Sequence, residues 1–371
     1  MLVQLDPRPR AEPMEPTEET LAGSVAGPSV RRVDPLALPD WDQRVARFSG
    51  ATVFHTRGWC QVLHDTYGHS PHYLVLEQAG QWQACLPLME VSSRLTGRRA
   101  VSLPFTDFCA CLAHSEAAAR ALWPALPPLA REHGWKRLEL RNREVVPAET
   151  PPSLEFYGHT VDLRTSREDL QTRMDGSARR SLRKALHSGL KTELATDLNA
   201  IAAYYQLHCL TRKRHGLPPQ PWRFFQNLQR YLLGSGRGFV VLVRKDQTAI
   251  AAAVFLHFGS QAVYKFGASD LSAQELRPNN LAMWTGMSYY REHGFEQLHL
   301  GRTSLWNDGL RRFKLSLGAQ EERIPVFCWS LRHQQFVPGR DRAEGWHTVI
   351  FRHMPPKLLR WAGQVLYPHM D

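Results

Sequence analysis

Residues 173–191, RMDGSARRSLRKALHSGLK, gather Arg179, Arg180, Arg183, Lys184 and Lys191 around few acids. On a helix, Arg179, Arg180, Arg183 and Lys184 make one basic stripe by i+3 and i+4 spacing. A stripe of one sign suits phosphates or an anionic lipid surface better than simple solvation does. Further along, HLGRT sets Arg302 directly after a candidate strand. A guanidinium there binds phosphate or carboxylate bidentately, or closes a salt bridge. Tyr264 and Lys265 fall on another candidate strand and point to opposite faces, so only one of them faces a cleft. Phe266 shares the Tyr264 face by the same alternation.

The chain has 371 residues, too many for one compact core and suited to two domains of ordinary size. Hydrophobic residues make up 43% and charged residues 22%, a globular balance. A net charge of +11 favours an anionic partner. The six cysteines include no C-x-x-C pair, so reduced, buried thiols are expected, Cys109 and Cys111 among them. Seventeen histidines include no H-E-x-x-H spacing, and no metal is expected. With no helix-turn-helix or zinc pattern, sequence-specific DNA recognition is not expected. Residues 1–34 open without an apolar leader and are rich in Pro, Glu and Thr, which reads as a disordered segment. No stretch is long and apolar enough to span a bilayer. The expected location is cytoplasmic, free or peripheral at the inner membrane face.

The chain repeats itself. REHGWKRLEL at 131–140 answers REHGFEQLHL at 291–300, each a helix end, a glycine C-cap and a strand. HYLVLEQAGQWQACLPLM at 72–89 answers GFVVLVRKDQTAIAAAVFL at 238–256, each a strand, a polar turn and a second strand. Both echoes lie about 160 residues apart. Two copies of one α+β unit follow, at 35–162 and 163–330, with a basic amphipathic tail at 331–371. In the second copy, helices are expected at 198–214, 222–233 and 279–293, and strands at 239–243, 250–257, 262–268 and 297–300. Within the tail, Pro355 and Pro356 open a short helix. Its apolar stripe of Leu358, Trp361, Ala362 and Val365 lies beside Lys357 and Arg360, as in interfacial membrane helices or helices docked on a protein body.

This order resembles the GNAT fold, and the duplication resembles FemAB-like proteins. The resemblance is carried by FHTRGWCQVLHDTYGHSP (54–71), SLPFTDF (102–108), SARRSLRKALHSGL (177–190), VYKFGASD (263–270), LRPNNLAMW (276–284) and GRTSLWNDGLRRFKLSLGA (301–319). The fold it implies is mixed α/β: tandem GNAT-like domains, each a mostly antiparallel sheet flanked by helices. The activity it implies is N-acyl transfer. FemAB-like enzymes move an aminoacyl group from charged tRNA to an amine. The chain looks closer to relatives linked to exopolysaccharide and exosortase systems, which resemble GNAT-type (BioF2-like) acetyltransferases.

Amide formation needs a neutral amine beside the acyl carbon, a donor for the oxyanion and an exit for the amine proton. The resemblance assigns these tasks chiefly to the second half. Lys314 would steady the oxyanion and Phe313 would border the reacting centre. Tyr264 matches a cleft tyrosine, and Asp107 a polar residue that holds the acceptor amine or takes its proton. Arg302 would bind an anionic group where the sheet splays. Asn280 stands at the helix start that binds pyrophosphate in CoA-dependent GNATs, although the glycine-rich turn is missing and Asn280 also fits a plain N-cap. Trp59 reads as packing. The expected reaction is direct attack in a ternary complex, with aminoacyl-tRNA or acyl-CoA as donor and no permanently bound cofactor. The acceptor is an amine on a cell-envelope or polysaccharide precursor, lipid- or nucleotide-linked. The alternatives are an acetyl-CoA-dependent acetyltransferase, and a non-catalytic anion- or membrane-binding scaffold.

Overall fold

The computed structural model describes residues 27–94, 96–141, 143–339, 341 and 347–370. Of the N-terminal segment expected to be disordered, residues 1–26 lie outside this range. Ser29–Val33 is a strand, paired antiparallel with residues 73–77. It forms the edge of a small sheet whose further strands are Gln81–Leu86 and Leu112–Ala113.

The second half follows its expected order closely. Helix Leu198–Arg214 has the anticipated bounds, and the next helix is Trp222–Tyr231. The strands Gly238–Lys245, Thr248–Phe258 and Gln261–Ser269 form an antiparallel meander. Helix Pro278–Glu292 then crosses over, and Gln297–His299 joins the meander in parallel beside residues 261–263. The first half repeats this closing move: Gly97–Val101 and Arg137–Leu140 pair in parallel across an intervening helical segment. In both halves the crossover helix stops at a left-handed glycine, Gly134 (φ +65) or Gly294 (φ +69). The aromatic that follows, Trp135 or Phe295, enters the core.

The halves do not part at residue 162. Strand Leu154–Asp162, which the expected boundary puts in the first half, pairs with Gln297–His299, Thr303–Ser304 and residues 320–326. Strand Gln320–Ser330 leaves that partner and continues along Arg137–Leu140 of the first half. One mixed sheet therefore runs through both halves. A shared core reinforces the seam: Trp41, Phe54 and Trp59 of the first half pack with Tyr204, Phe224 and Phe225 of the second. Gly58 sits so close to Tyr231 that an added Cβ would lie 2.8 Å from its carbonyl oxygen.

In the tail, helix Pro356–Leu366 docks through Leu359, Ala362 and Gly363. A Cβ on Gly363 would lie 2.0 Å from the Pro219 oxygen, so the docking is close. Leu358, Trp361 and Val365 of the expected stripe stay exposed, while Ala362 is buried. Among the described residues, no helix is long and apolar enough to cross a membrane.

Candidate active site

The helix Asp308–Ser316 begins at Asn307, whose side chain accepts from the Leu310 N–H. Its one buried residue is Lys314, only 3% exposed. Lysine is almost never fully buried without a partner. Here Nζ donates to the carbonyls of Gly301 (2.7 Å) and Arg302 (3.1 Å) rather than to a carboxylate. Burial pulls its pKa down to about 8, against the opposing pull of Asp107. An ammonium has three hydrogens, so two carbonyls leave one uncommitted.

Gly301 makes this arrangement possible. It adopts φ +77, and a Cβ there would lie 3.1 Å from Asp107 Oδ1. Asp107 comes from the first half and bridges two elements of the second. Its Oδ2 accepts from Lys265 Nζ at 2.7 Å, and its Oδ1 accepts from the Arg302 N–H at 3.3 Å. Burial raises the pKa of Asp107, but Lys265 outweighs that, with Arg302 and Lys314 assisting, and holds it at about 2. So acidic a carboxyl is a poor proton acceptor near neutrality. Asp107 was expected to hold the acceptor amine or take its proton; the low pKa speaks against the second role, and its oxygens are engaged by Lys265 and the Arg302 N–H.

The loop carrying Asp107 is strained. Leu103 (φ +63) and Phe105 (φ +60) are left-handed although neither is glycine. Arg141 holds this backbone: Nη1 donates to the Leu103 oxygen (3.1 Å) and the Thr106 oxygen (2.8 Å), while Glu139 pairs with Nη2 at 2.8 Å. Sequence reasoning missed Arg141. Its signal was available, since Arg141 follows LEL as Gly301 follows LHL in the repeat.

Strand alternation set Tyr264 and Phe266 on one face and Lys265 on the other. A β-bulge at Val254/Phe255 changes that reading: Val254 faces Phe266, and Phe255 faces Tyr264. Tyr264 thus packs on the Phe255 side. Phe266 lies across the sheet against Tyr204 and Phe225, so the two aromatics do not share a face. Lys265 joins the Phe266 side, with Nζ 5.4 Å from the Phe54 ring and 5.9 Å from the Trp59 ring. Trp59 is fully buried as expected and also shields this cation.

Tyr264 and Phe313 line a cleft of ≈ 210 Å³, together with Ser269, Asn279 and Met283. Burial raises the Tyr264 hydroxyl to about 12, and Asp107 adds to the shift. Gly267 leaves room for this tyrosine, since a Cβ there would lie within bonding range of its hydroxyl. A larger cavity of ≈ 660 Å³ opens at the seam, lined by Thr52, Phe108, Arg141, His299 and Arg323 among others. The two cavities flank the Asp107–Gly301 cluster, one beside Tyr264 and the other beside Val263 and His299. His299 accepts from the Gly301 N–H at 2.9 Å, and burial holds its pKa near 3, so it stays neutral.

The cluster therefore brings together Asp107, Lys265, Arg302 and Lys314, with Tyr264 and Phe313 beside it. Arg302 lays its guanidinium over Phe156 at 4.4 Å. Asn280 stays outside and is not the N-cap. That position belongs to left-handed Arg277, and Asn279 reaches Ser269 instead. Arg180, Arg183 and Lys184 are exposed and Arg179 is half-buried on helix Gly176–His187, away from the cluster. That helix begins next to the lysine helix, where the Asp175 N–H meets the Ser316 oxygen at 2.9 Å. Cys109 and Cys111 are buried, in two different cores.

Residues 172–315 match the acetyltransferase (GNAT) domain model. No curated protein matches the chain. Among solved structures, FemX superposes with a TM-score of 0.64 at 14% identity, over 82% of this chain and 98% of its own. A tandem GNAT protein from the clavulanic acid biosynthesis pathway gives 0.48 at 11% identity, over 82% and 98%. The C-terminal domain of a putative lysylphosphatidylglycerol synthetase from Agrobacterium fabrum gives 0.48 at 16% identity, over 72% and 86%. Residues 172–315 are thus similar to GNAT acetyltransferase domains, which points to acyl transfer, and the chain has a mixed α/β, GNAT-like fold.

Proposed function

We propose that the protein forms an amide by direct attack of an acceptor amine on an activated acyl or aminoacyl group. The observation that carries this reading is Lys314, a buried ammonium that donates to two carbonyls, on the helix whose Phe313 lines a cleft together with Tyr264. The neutral amine adds to the acyl carbon. Lys314 donates to the oxyanion. The tetrahedral adduct then expels the donor's oxygen or sulfur, which leaves with the proton released by the amine. Asp107 fixes Lys265 and the Arg302 backbone around this centre. A covalent intermediate on cysteine has no support: burial raises the Cys109 and Cys209 thiols, which disfavours a thiolate.

The donor is aminoacyl-tRNA in the reading favoured by the exposed Arg180, Arg183 and Lys184. The second reading, acyl-CoA, is favoured by the small cleft ending at Asn279 and the start of helix Pro278–Glu292. The acceptor is an amine on a cell-envelope or polysaccharide precursor. The exposed Leu358, Trp361 and Val365 beside Lys357 and Arg360 fit peripheral contact with an anionic inner-membrane face. The deciding experiment compares charged tRNA with acetyl-CoA for binding at moderate salt. Binding that depends on the aminoacyl group and is lost in an Arg179, Arg180 and Arg183 triple alanine variant supports the first donor. Saturable acetyl-CoA binding alone supports the second. Absence of both, with no turnover of either, overturns the proposal.

A further inference from the structure

Far along the first half's sheet, three potential metal ligands converge from separate elements. His72 stands just before strand Tyr73–Gln78, Glu90 on strand Met89–Ser93, and His133 at the C-cap of helix Leu126–Glu132. One ligand atom from each lies within 4.8 Å of the others. His72 Nε2 is 3.9 Å and His133 Nδ1 3.8 Å from the same oxygen, Glu90 Oε2. Tetrahedral zinc with bonds of about 2.1 Å separates its ligands by roughly 3.4 Å, so a contraction of about half an ångström brings each imidazole to the required distance from Glu90.

A single buried indole sets all three groups. Trp135 is fully buried and donates Nε1–H to Glu90 Oε2 at 2.7 Å. Its ring stacks on His133 (5.2 Å between centroids, 21°) and meets His72 edge-on (5.3 Å). The His72 backbone is tied to the Leu88 oxygen at 2.9 Å, and its Nδ1 is buried without a partner. Partners behind the ligands that fix their direction are the mark of an organised metal site.

We propose that His72, Glu90 and His133 bind one divalent transition-metal ion of the zinc class, with water as the fourth ligand. Two imidazoles and one carboxylate match that class. The neighbouring cations define the state without metal. Arg32 donates to His133 Nε2 at 2.7 Å, and since arginine only donates, Nε2 accepts and Nδ1 carries the ring proton. A metal ion takes the place of that proton. Nε2 then becomes the protonated nitrogen and releases Arg32, whose side chain is half exposed. Arg98, 3.9 Å from Glu90 Oε1, stays on the other carboxylate oxygen. The triad is unrelated to the acyl-transfer cluster and would clamp the turn, strand and helix of the first half.

The test uses full-length protein stripped with chelator and titrated with Co²⁺ and then Zn²⁺, read by Co²⁺ ligand-field absorption and by melting temperature. One equivalent should bind with a tetrahedral spectrum and raise the Tm. Glu90→Gln and His133→Gln should abolish the spectrum. Trp135→Phe, which keeps the ring and loses the N–H, should weaken binding about 10-fold to 100-fold. Arg32→Ala should tighten it, because the competing donor is gone. If the ligand variants fail to fold, the Trp135 and Arg32 variants still decide. Wild-type protein without the spectrum or a Tm shift overturns the proposal. So does a spectrum unchanged by Glu90→Gln and His133→Gln.

Discussion

The two halves make the same closing move and put different residues at its end. After Arg137–Leu140 comes Arg141; after the matching LHL of the second half comes Gly301. Arg141 fills the space where the first half's parallel strands end, and ties Leu103, Thr106 and Glu139 together. Gly301 leaves the equivalent space open, turns with positive φ and offers its carbonyl to Lys314. One half is plugged and the other is hollow. The plug also supports the loop that delivers Asp107 into the hollow. The comparison teaches that a duplicated unit can divide its labour: one copy braces a strained loop, and the other keeps room for the carboxylate that the loop delivers.

The largest test of this division is Asp107→Ala. It strands Lys265 in the core, and loss of one member of a buried pair costs about 3–5 kcal/mol. Denaturant unfolding should record that loss, and a change under about 1 kcal/mol would show that the halves are not joined by this pair. Lys314→Met should lower kcat about 10²-fold to 10³-fold, as removal of an oxyanion donor does. Because the variant also relieves a buried charge, its Tm should hold or rise. A Tm fall with unchanged kcat would make Lys314 structural.

Exchanging the two end residues sharpens the contrast. Arg141→Gly should cost about 2–4 kcal/mol and disturb the Asp107 loop, because carbonyls and a carboxylate are left unpaired. Gly301→Ala should cost about 1–2 kcal/mol through φ +77 and crowd Asp107. Equal, negligible effects would erase the distinction between plug and hollow. The smallest expected effect is on pH dependence. Lys314 carries its proton below about pH 8 and loses it above. The ratio of wild-type to Lys314→Arg turnover should therefore fall as pH rises through 8, since arginine stays charged. A flat ratio would remove the oxyanion role. The same lowered pKa makes stability rise from about pH 8 towards the unfolded value near 10.5, because the unfolded chain then binds more protons.

Much of the scaffold was legible from residues alone. The paired REHG segments marked both left-handed glycines and the buried aromatics behind them. Apolar spacing fixed helix Leu198–Arg214 to its ends. The site was less legible, for physical reasons. A bulge adds a residue without any mark in the sequence, so alternation misplaced Phe266 relative to Tyr264. Left-handed Leu103 and Phe105 use residue types that give no warning. The Asp107–Lys265 pair joins positions in different halves, and the exchange of strands Leu154–Asp162 and Gln320–Ser330 is long-range pairing of the same kind. Local patterns do not encode such partners.

Strand Gln320–Ser330 has a mechanical consequence. Its first part is hydrogen-bonded to residues 154–160 and its last part to residues 137–140, so it acts as a splint across the seam. Hinge bending between the halves would have to tear this ladder, and pulling them apart would load it in shear. The frame that holds the cleft is therefore stiff, which leaves side chains and surface helices as the parts free to adjust. A cut at 162 would not release two working modules, because each fragment would keep a strand whose partners left with the other.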